Sequence, residues 1–600
     1  TASNFYLKNS RVLRQFYWHQ GDVSGGSGRS TVSFERNYIY NYQPTGTSAA
    51  CYALYFYSQS SSYRIYFDAV DFNFKDNTVV CHHQRSNGGE AYAWYSSTYH
   101  YFRYGTVLTL NNNTFEAREL MTSATPRVGD ALYWQWQMSG SSYYTMPGSD
   151  WAQVQGDARI RVSGPHPEKM LFTNFVNTEL GVYFSSSQMT GGIEISNAHM
   201  KQVDFSSVTL SSGAKIVMNE STFDLSTTFS SCSSSSDGGL IIDGSTFQQL
   251  LHVNSFGFTY GSSFHLLNSR MNDGFQWGSG DTSGAGGATG RSTFEVDRNY
   301  IYKSTTSTAT IYAFYISSSA YFDATDFTMT NNEIIAEQYH ATSGTAYAVY
   351  VTPSSYMRSN TILTLNNNTI EAREKITGTP EFGEAMYAMW QFQSNSYFTM
   401  PSSEWNKVKG IVRWDLDTGY PALVDLSSIS NTDLYMYFTG AFGNSMKIHN
   451  THMKGLSLSG LQFLSGNYIE LHSVIFDTAP SFSSLGVTSG WMHLHNVQCQ
   501  GAPSFTSLTF TASAMEFHDV VSQSTFSMSS WTFYTASTMS VLRSSFAENH
   551  NFQSFTFNDA STFTIDDCTF HKQLQLNTVH FNTASNFYLK NSRVLRQFYW

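Results

Sequence analysis

Four histidines, His449, His472, His495 and His518, recur with a constant 23-residue step in the segments IHNTHM, LHSVIF, LHNVQC and FHDVVS. The pattern continues through LRSSF, IDDCTF and LKNSRV, where Arg543, Asp566 and Lys590 take the polar place. Ala512, Ala536, Ala560 and Ala584 form a second column with a 24-residue step, and Phe533, Phe557 and Phe581 keep that interval. FTNFV, ISNAHM, VMNESTF, IIDGSTF and LLNSRM carry the theme through the first half in 22–25-residue steps. A unit this short has no room for two-helix repeats, lacks the leucine-rich signature, and is about half of the ~40–50 residues of a propeller blade. It fits one coil of short strands and turns, which buries its inward side chains only by stacking on the next coil. The residue types agree: aromatics make up 16% of the chain and charged residues 13%, and Tyr, Phe, Thr, Ile and Val favour strands. The expected fold class is all-β, a parallel β-helix (solenoid) with 23–24-residue thin coils. In it Ile448, Leu471, Leu494, Phe517, Leu542, Ile565 and Leu589 form an inward ladder. The Asn, Ser or Asp two places later belongs at a turn, where a short polar side chain tolerates left-handed backbone.

Longer repeats overlie the short one. RNYIY occurs at 36–40 and 298–302, YFDAVDF at 66–72 answers YFDATDF at 321–327, and LTLNNNTFEARE at 108–119 answers LTLNNNTIEARE at 363–374. Over 30–160 and 290–415 the pattern widens to a 35–40-residue spacing, which predicts fat coils with an extra strand and turn. The expected organisation is a thin coil at 1–29, a fat-coil module at 30–160, a thin-coil module at 161–289, a second fat-coil module at 290–415 and thin coils at 416–582. Residues 583–600 repeat residues 1–18 without a change, so the chain is expected to be a window on a tandem array with a 582-residue period. A β-helix that runs into a copy of its own first coil leaves no strand edge to cap.

Composition narrows the function. The net charge of −11 is spread along the chain with no basic stripe, which argues against nucleic acid. No apolar run approaches the ~18–20 residues of a membrane span. No G-x-S-x-G, H-E-x-x-H or phosphate-binding glycine loop occurs, so no catalytic residue, cofactor or metal is assigned and no enzyme is expected. Asp68 with Asp71, and Asp323 with Asp326, read as turn caps rather than as the acid pair of a glycosidase. The four histidines read as a column of half-exposed neutral rings; metal binding or a protonation switch near pH ~6.5 are the sharper alternatives. Arg543, Asp566 and Lys590, placed at the same register, do not complete a zinc site.

The fat coils offer Tyr92, Trp94, Trp134, Trp136, Tyr347 and Trp390 as contact aromatics. Alternation buries about half of such a set in the core and leaves the rest for a second rod or for glycan. Cys51 and Cys81 are replaced together in the second half, by Ile311 and Ala336, as a disulfide or two unrelated small core residues would be. Cys499 reads as a buried thiol, and Cys232, in SSCSSSSDGG, as a loop cysteine able to cross-link chains. Asn112, Asn219 and Asn367 begin N-x-S/T sequons and are glycosylation candidates in a secreted chain.

The recurring apolar-x-Asn-x-x-apolar turn, as in LTLNNNTF and LLNSRM, resembles that of giant repetitive surface β-helix proteins. These include bacterial filamentous adhesins and the dispersed-gene-family surface proteins of trypanosomatids. The coil pattern is also similar to that of pectin-degrading enzymes, without their catalytic motifs. The resemblance implies a right-handed coil and an extracellular or cell-surface location. It implies a structural filament, such as a surface fibre or mastigoneme-like hair, whose partner is itself. An adhesin-type rod that binds glycans is the alternative, and a polysaccharide-degrading enzyme a more distant one.

Overall fold

In the pentapeptide TFTID, Thr562–Asp566, half-buried and buried residues alternate, with Phe563 and Ile565 wholly inside. A strand with one face on a core requires that alternation. Rungs of this kind recur through the computed structural model. It describes residues 2–600 except 20, 25–27, 45–49, 59–63, 86–89, 122–126, 165, 236, 260, 284–289, 318, 340–344, 375–380, 394, 416–422, 441–443 and 465. The chain is all-β, built of large parallel sheets, and divides into two units, Thr1–Tyr300 and Ile301–Trp600.

Within Ile301–Trp600, Trp491–Cys499 pairs in parallel with Ala514–His518, then Thr538–Leu542, Thr562–Asp566 and Asn586–Lys590 follow in register. Ser504–Thr506, Phe526–Ser529, His550–Gln553 and Leu574–Asn577 make a second parallel ladder. Thr509–Thr511, Thr532–Tyr534, Thr556–Phe557 and His580–Phe581 make a third. Each repeat of the short period therefore gives one strand to each ladder. Phenylalanines stack along them: the rings of Phe510, Phe533, Phe557 and Phe581 follow at 5.0, 4.6 and 4.9 Å, near the spacing of adjacent strands.

The observed register corrects one rung of the inward ladder. Leu471, Leu494 and Phe517 pair in turn, but Phe517 pairs with Val541, not Leu542. Val541 is fully buried, whereas Leu542 is half-buried opposite His518. The step lengthens there from 23 to 24 residues and stays at 24 through Ile565 and Leu589, whereas Leu542 lies 25 residues after Phe517, one place off and on the other face. The turn column follows the true register: Asn450, Ser473, Asn496, Asp519, Arg543, Asp567 and Asn591 all have φ between 46° and 55°. Asn and Asp enter this left-handed region at low cost. Arg543 enters it while its guanidinium donates to both carboxylate oxygens of Asp519, at 3.0 and 2.9 Å.

In Thr1–Tyr300, Lys215–Asn219, Gly239–Asp243, Ser263–Leu267 and Ser292–Asp297 form a parallel ladder. After each left-handed residue comes a buried oxygen that caps the rung before it. Ser245 Oγ accepts from the Ser221 amide at 3.3 Å, Ser269 Oγ from Ser245 at 3.1 Å, and Asn299 Oδ1 from Ser269 at 2.9 Å. Where the rungs are widest, asparagine takes this place: Asn77 Oδ1 accepts from the Asn37 amide and Asn113 Oδ1 from the Asn77 amide, each at 3.0 Å. These side chains are buried, so the ladder of oxygens satisfies turn amides that water does not reach.

The wide rungs Cys51–Tyr57, Ala91–Arg103, Asp130–Met138 and Asp157–Ser163 are also parallel. Each unit closes its wide region with a 3₁₀ turn, Gly148–Gln153 in one and Ser402–Lys407 in the other. A buried asparagine holds each turn: Asn177 Nδ2 donates to the carbonyls of Trp151 and Val154, and Asn431 Nδ2 to those of Trp405 and Val408. Cys51 and Cys81 form a disulfide, with their Cα atoms 6.5 Å apart. Cys499 and Cys568 are buried thiols, and so is Cys232, which corrects its reading as an accessible loop cysteine.

Candidate functional site

The wide rungs sort their aromatics by type. Trp94, Trp134 and Trp136 are buried together, with ring centroids 5.5 Å apart for Trp94–Trp134 and 4.3 Å for Trp134–Trp136. Trp390 is buried against Phe327, and Tyr92 is almost wholly inside. The expectation that these five are contact aromatics is therefore corrected; the wider rungs enclose more volume, and the indoles fill it. Of the six, only Tyr347 is half-buried and reaches solvent.

What faces outward is a column of tyrosines interrupted by one arginine. Tyr17, Tyr55, Tyr95, Tyr133, Arg159 and Tyr183 are successive register partners in the first unit. Tyr315, Tyr350, Tyr387, Arg413 and Tyr437 repeat the order in the second. One pair in each column lies face to face: Tyr95 and Tyr133 at 4.8 Å with 6° between planes, and Tyr350 and Tyr387 at 5.0 Å with 9°; Tyr55–Tyr95 and Tyr315–Tyr350 meet edge to face. Each arginine lies between two tyrosines of its column. Arg159 sits over Tyr183 at 4.8 Å and bonds Asp130 at 2.8 Å; Arg413 sits over Tyr437 at 4.3 Å and bonds Glu384 at 2.7 Å. Burial, with Tyr133 next in weight, pushes the Tyr95 phenol up to about 12, and burial with Glu384 does the same to Tyr347. These phenols stay protonated and offer O–H edges. Beside the second column, Met389, Trp414 and Thr439 help line a shallow groove of about 220 Å³. The sequence pattern does not reveal the column, because its step shortens abruptly where the wide rungs give way to narrow ones.

The four histidines lie on four adjacent parallel strands, His449 opposite His472, His472 opposite His495 and His495 opposite His518. Ring centroids are 5.4, 4.6 and 4.5 Å apart in that order. Carboxylates border them: His449 Nε2 is 3.2 Å from Glu470, and Asp519 Oδ2 lies 3.3 Å from His495 and 3.2 Å from His518. Arg543 is a turn residue, so it does not share the histidine register, and Leu542 does. Burial first, then the neighbouring His495 and His449, lowers the pKa of His472.

The acid pairs are engaged within the ladders rather than as turn caps. Arg103 donates to both oxygens of Asp68 at 2.7 Å, its twin Arg358 to both of Asp323 at 2.8 Å, and Arg29 binds Asp71 at 2.7 Å. A cavity of about 500 Å³ in the second unit is lined by Tyr397, Phe398, Met400, Trp405, Leu423 and Val424 among others. Among the described residues on its largely apolar wall, Asp425 is the one carboxylate. Asn112 and Asn367 occupy exposed left-handed turn positions, while Asn219 is half-buried. The Asn112 Nδ2 donates to Asp76 at 2.7 Å, a bond a glycan there would replace. Compared with known proteins, the chain matches no protein-family model and no curated sequence.

Proposed function

We propose that the chain is a structural protein, one period of a long stiff extracellular filament in which 582-residue repeats continue a single right-handed parallel β-helix. A surface fibre or mastigoneme-like hair is the kind of assembly meant. The observation that carries this reading is the two-sided use of one segment. Asn-Phe-Tyr-Leu-Lys stands at 4–8 and again at 586–590. The first copy pairs with the rung after it, Ser30–Glu35, and Phe5 meets Phe34 at 5.5 Å. The second pairs with the rung before it, Thr562–Asp566, and Phe587 meets Phe563 at 5.2 Å. One segment thus has a partner for each edge, and a join between repeats satisfies both at once. No strand edge is then left to be capped.

The disulfide supports an oxidising, extracellular setting, as do the exposed sequons at Asn112 and Asn367. A glycan-binding rod is the second reading. The groove beside Arg413 and Tyr437 favours it. The buried indoles weigh against it, since sugar rings stack on free aromatic faces.

Electron microscopy of chains holding one and two periods tests the proposal. With ~20–22 coils at ~4.8 Å each, one period should measure about 100 Å and two about 200 Å, at constant width. Two-period particles that appear as beads joined by a hinge would sink it.

A further inference from the structure

We propose that His495, His518 and Asp519 bind one divalent transition-metal ion of the zinc or copper class. The site follows from the ladder itself. His495 and His518 are register partners on adjacent parallel strands. Along the histidine column the next residue is Asn450, Ser473, Asn496 and then Asp519, so a carboxylate enters the turn only at the last step.

The distances suit an ion. His495 Nε2 and His518 Nδ1 stand 3.3 and 3.2 Å from the same oxygen, Asp519 Oδ2. The three ligand atoms lie within 4.8 Å of one another. Ligands about 2.0–2.2 Å from a tetrahedral ion stand about 3.3–3.5 Å apart, so small rotamer adjustments bring these three onto one centre. Two imidazoles and a carboxylate match zinc and copper and suit magnesium or calcium poorly. Arg543 bonds Asp519 at 3.0 and 2.9 Å and its Nη2 lies 3.4 Å from His518 Nδ1, so the guanidinium must turn away from that nitrogen and stay on Asp519 alone, as an outer partner, when the ion enters. A carboxylate has about four lone-pair positions, which leaves room for both the guanidinium and the ion. Such outer bonds orient metal ligands. A pocket of about 240 Å³ opens over His495 and His518, with Glu470, His493 and Glu516 on its walls. It has space for water as a fourth ligand. The ion would tie two consecutive rungs together from outside, whether or not the chain forms filaments.

The test is titration of the full chain with Zn²⁺, with Co²⁺ as an absorbing substitute and Mg²⁺ as control. One Zn²⁺ should bind per chain, raise the thermal midpoint and, as Co²⁺, give tetrahedral d–d bands. H495A, H518A and D519N should each weaken binding at least tenfold and lose the thermal shift, with unchanged circular dichroism, since these side chains are partly exposed. H452A, at the separate His452–Asp477 pair, should bind as the parent does. Parent-like binding by H495A and H518A, or loss of binding in H449A and H472A alone, would overturn the assignment.

Discussion

His550 is an imidazole in a cage of phenylalanines. Its ring lies 4.1 Å from Phe546, 5.1 Å from Phe526, 5.6 Å from Phe552 and 5.7 Å from Phe570, and neither nitrogen has a hydrogen-bond partner. Burial lowers its pKa to about 3; His100 is likewise lowered to about 3 and His166 to about 4. In the unfolded chain each titrates near 6.5. Below that pH the unfolded state binds more protons than the folded one, so stability is full above ~6.5 and falls as pH drops toward the folded value. The loss is about 1.4 kcal/mol per pH unit for each histidine. Replacing His550 by Phe should therefore reduce the drop in urea stability between pH 7 and pH 5 by about one proton's share. It should also stabilise the protein at pH 7, because two buried, unsatisfied nitrogens disappear. Urea curves at both pH values decide this; an unchanged pH slope would remove His550 from the account.

At the scale of the rung, the sequence shows the period plainly and the register less so. The histidine and alanine columns are legible because successive rungs repeat one residue type at one register position. The slip at Val541 is not, since VL in MSVLRSS offers two apolar candidates and only contact with the preceding rung chooses between them. The same ambiguity hides the aromatic faces. In YWQW, Tyr133 to Trp136, alternation says that neighbours face opposite ways but not which of them faces in. In the fold the indoles are buried and the tyrosines turn outward, where Arg159 and Arg413 lie among them. The metal triad stayed hidden for a related reason, because Asp519 lies in the turn column rather than among the strand residues. The register has a direct test. Val541→Ala should cost about 1–3 kcal/mol as a buried truncation, and Leu542→Ala about 0.5 kcal/mol or less on a half-exposed face. Urea midpoints of the two variants would show the reverse order if Leu542 were the inward residue.

For the whole molecule, the informative comparison is between two identical segments in different surroundings. In the first copy, Phe16 meets Phe34 at 5.3 Å and Trp18 meets Phe56 at 5.9 Å and Phe67 at 6.0 Å. In the second copy, Phe598 is 43% and Trp600 69% exposed, and Trp600 leans back on Phe581 and Phe587 at 6.1 and 5.2 Å. Each copy is packed from one side, and the sides differ. In a stacked array the stability of a rung is its own term plus one for each neighbouring interface, so a rung held from both sides opens far less often than one held from a single side. Hydrogen exchange on a chain of two periods should therefore split one peptide into two populations. The outer copies of TASNFYLKNSRVLRQFYW should exchange as they do in a single period, and the copy at the internal join about a hundredfold more slowly, if the second interface contributes about 2–3 kcal/mol. A flexible join would give the same contour length under the microscope, yet leave all copies exchanging at the rapid rate. Protection at the join therefore separates a continuous helix from repeats that merely follow one another along a chain.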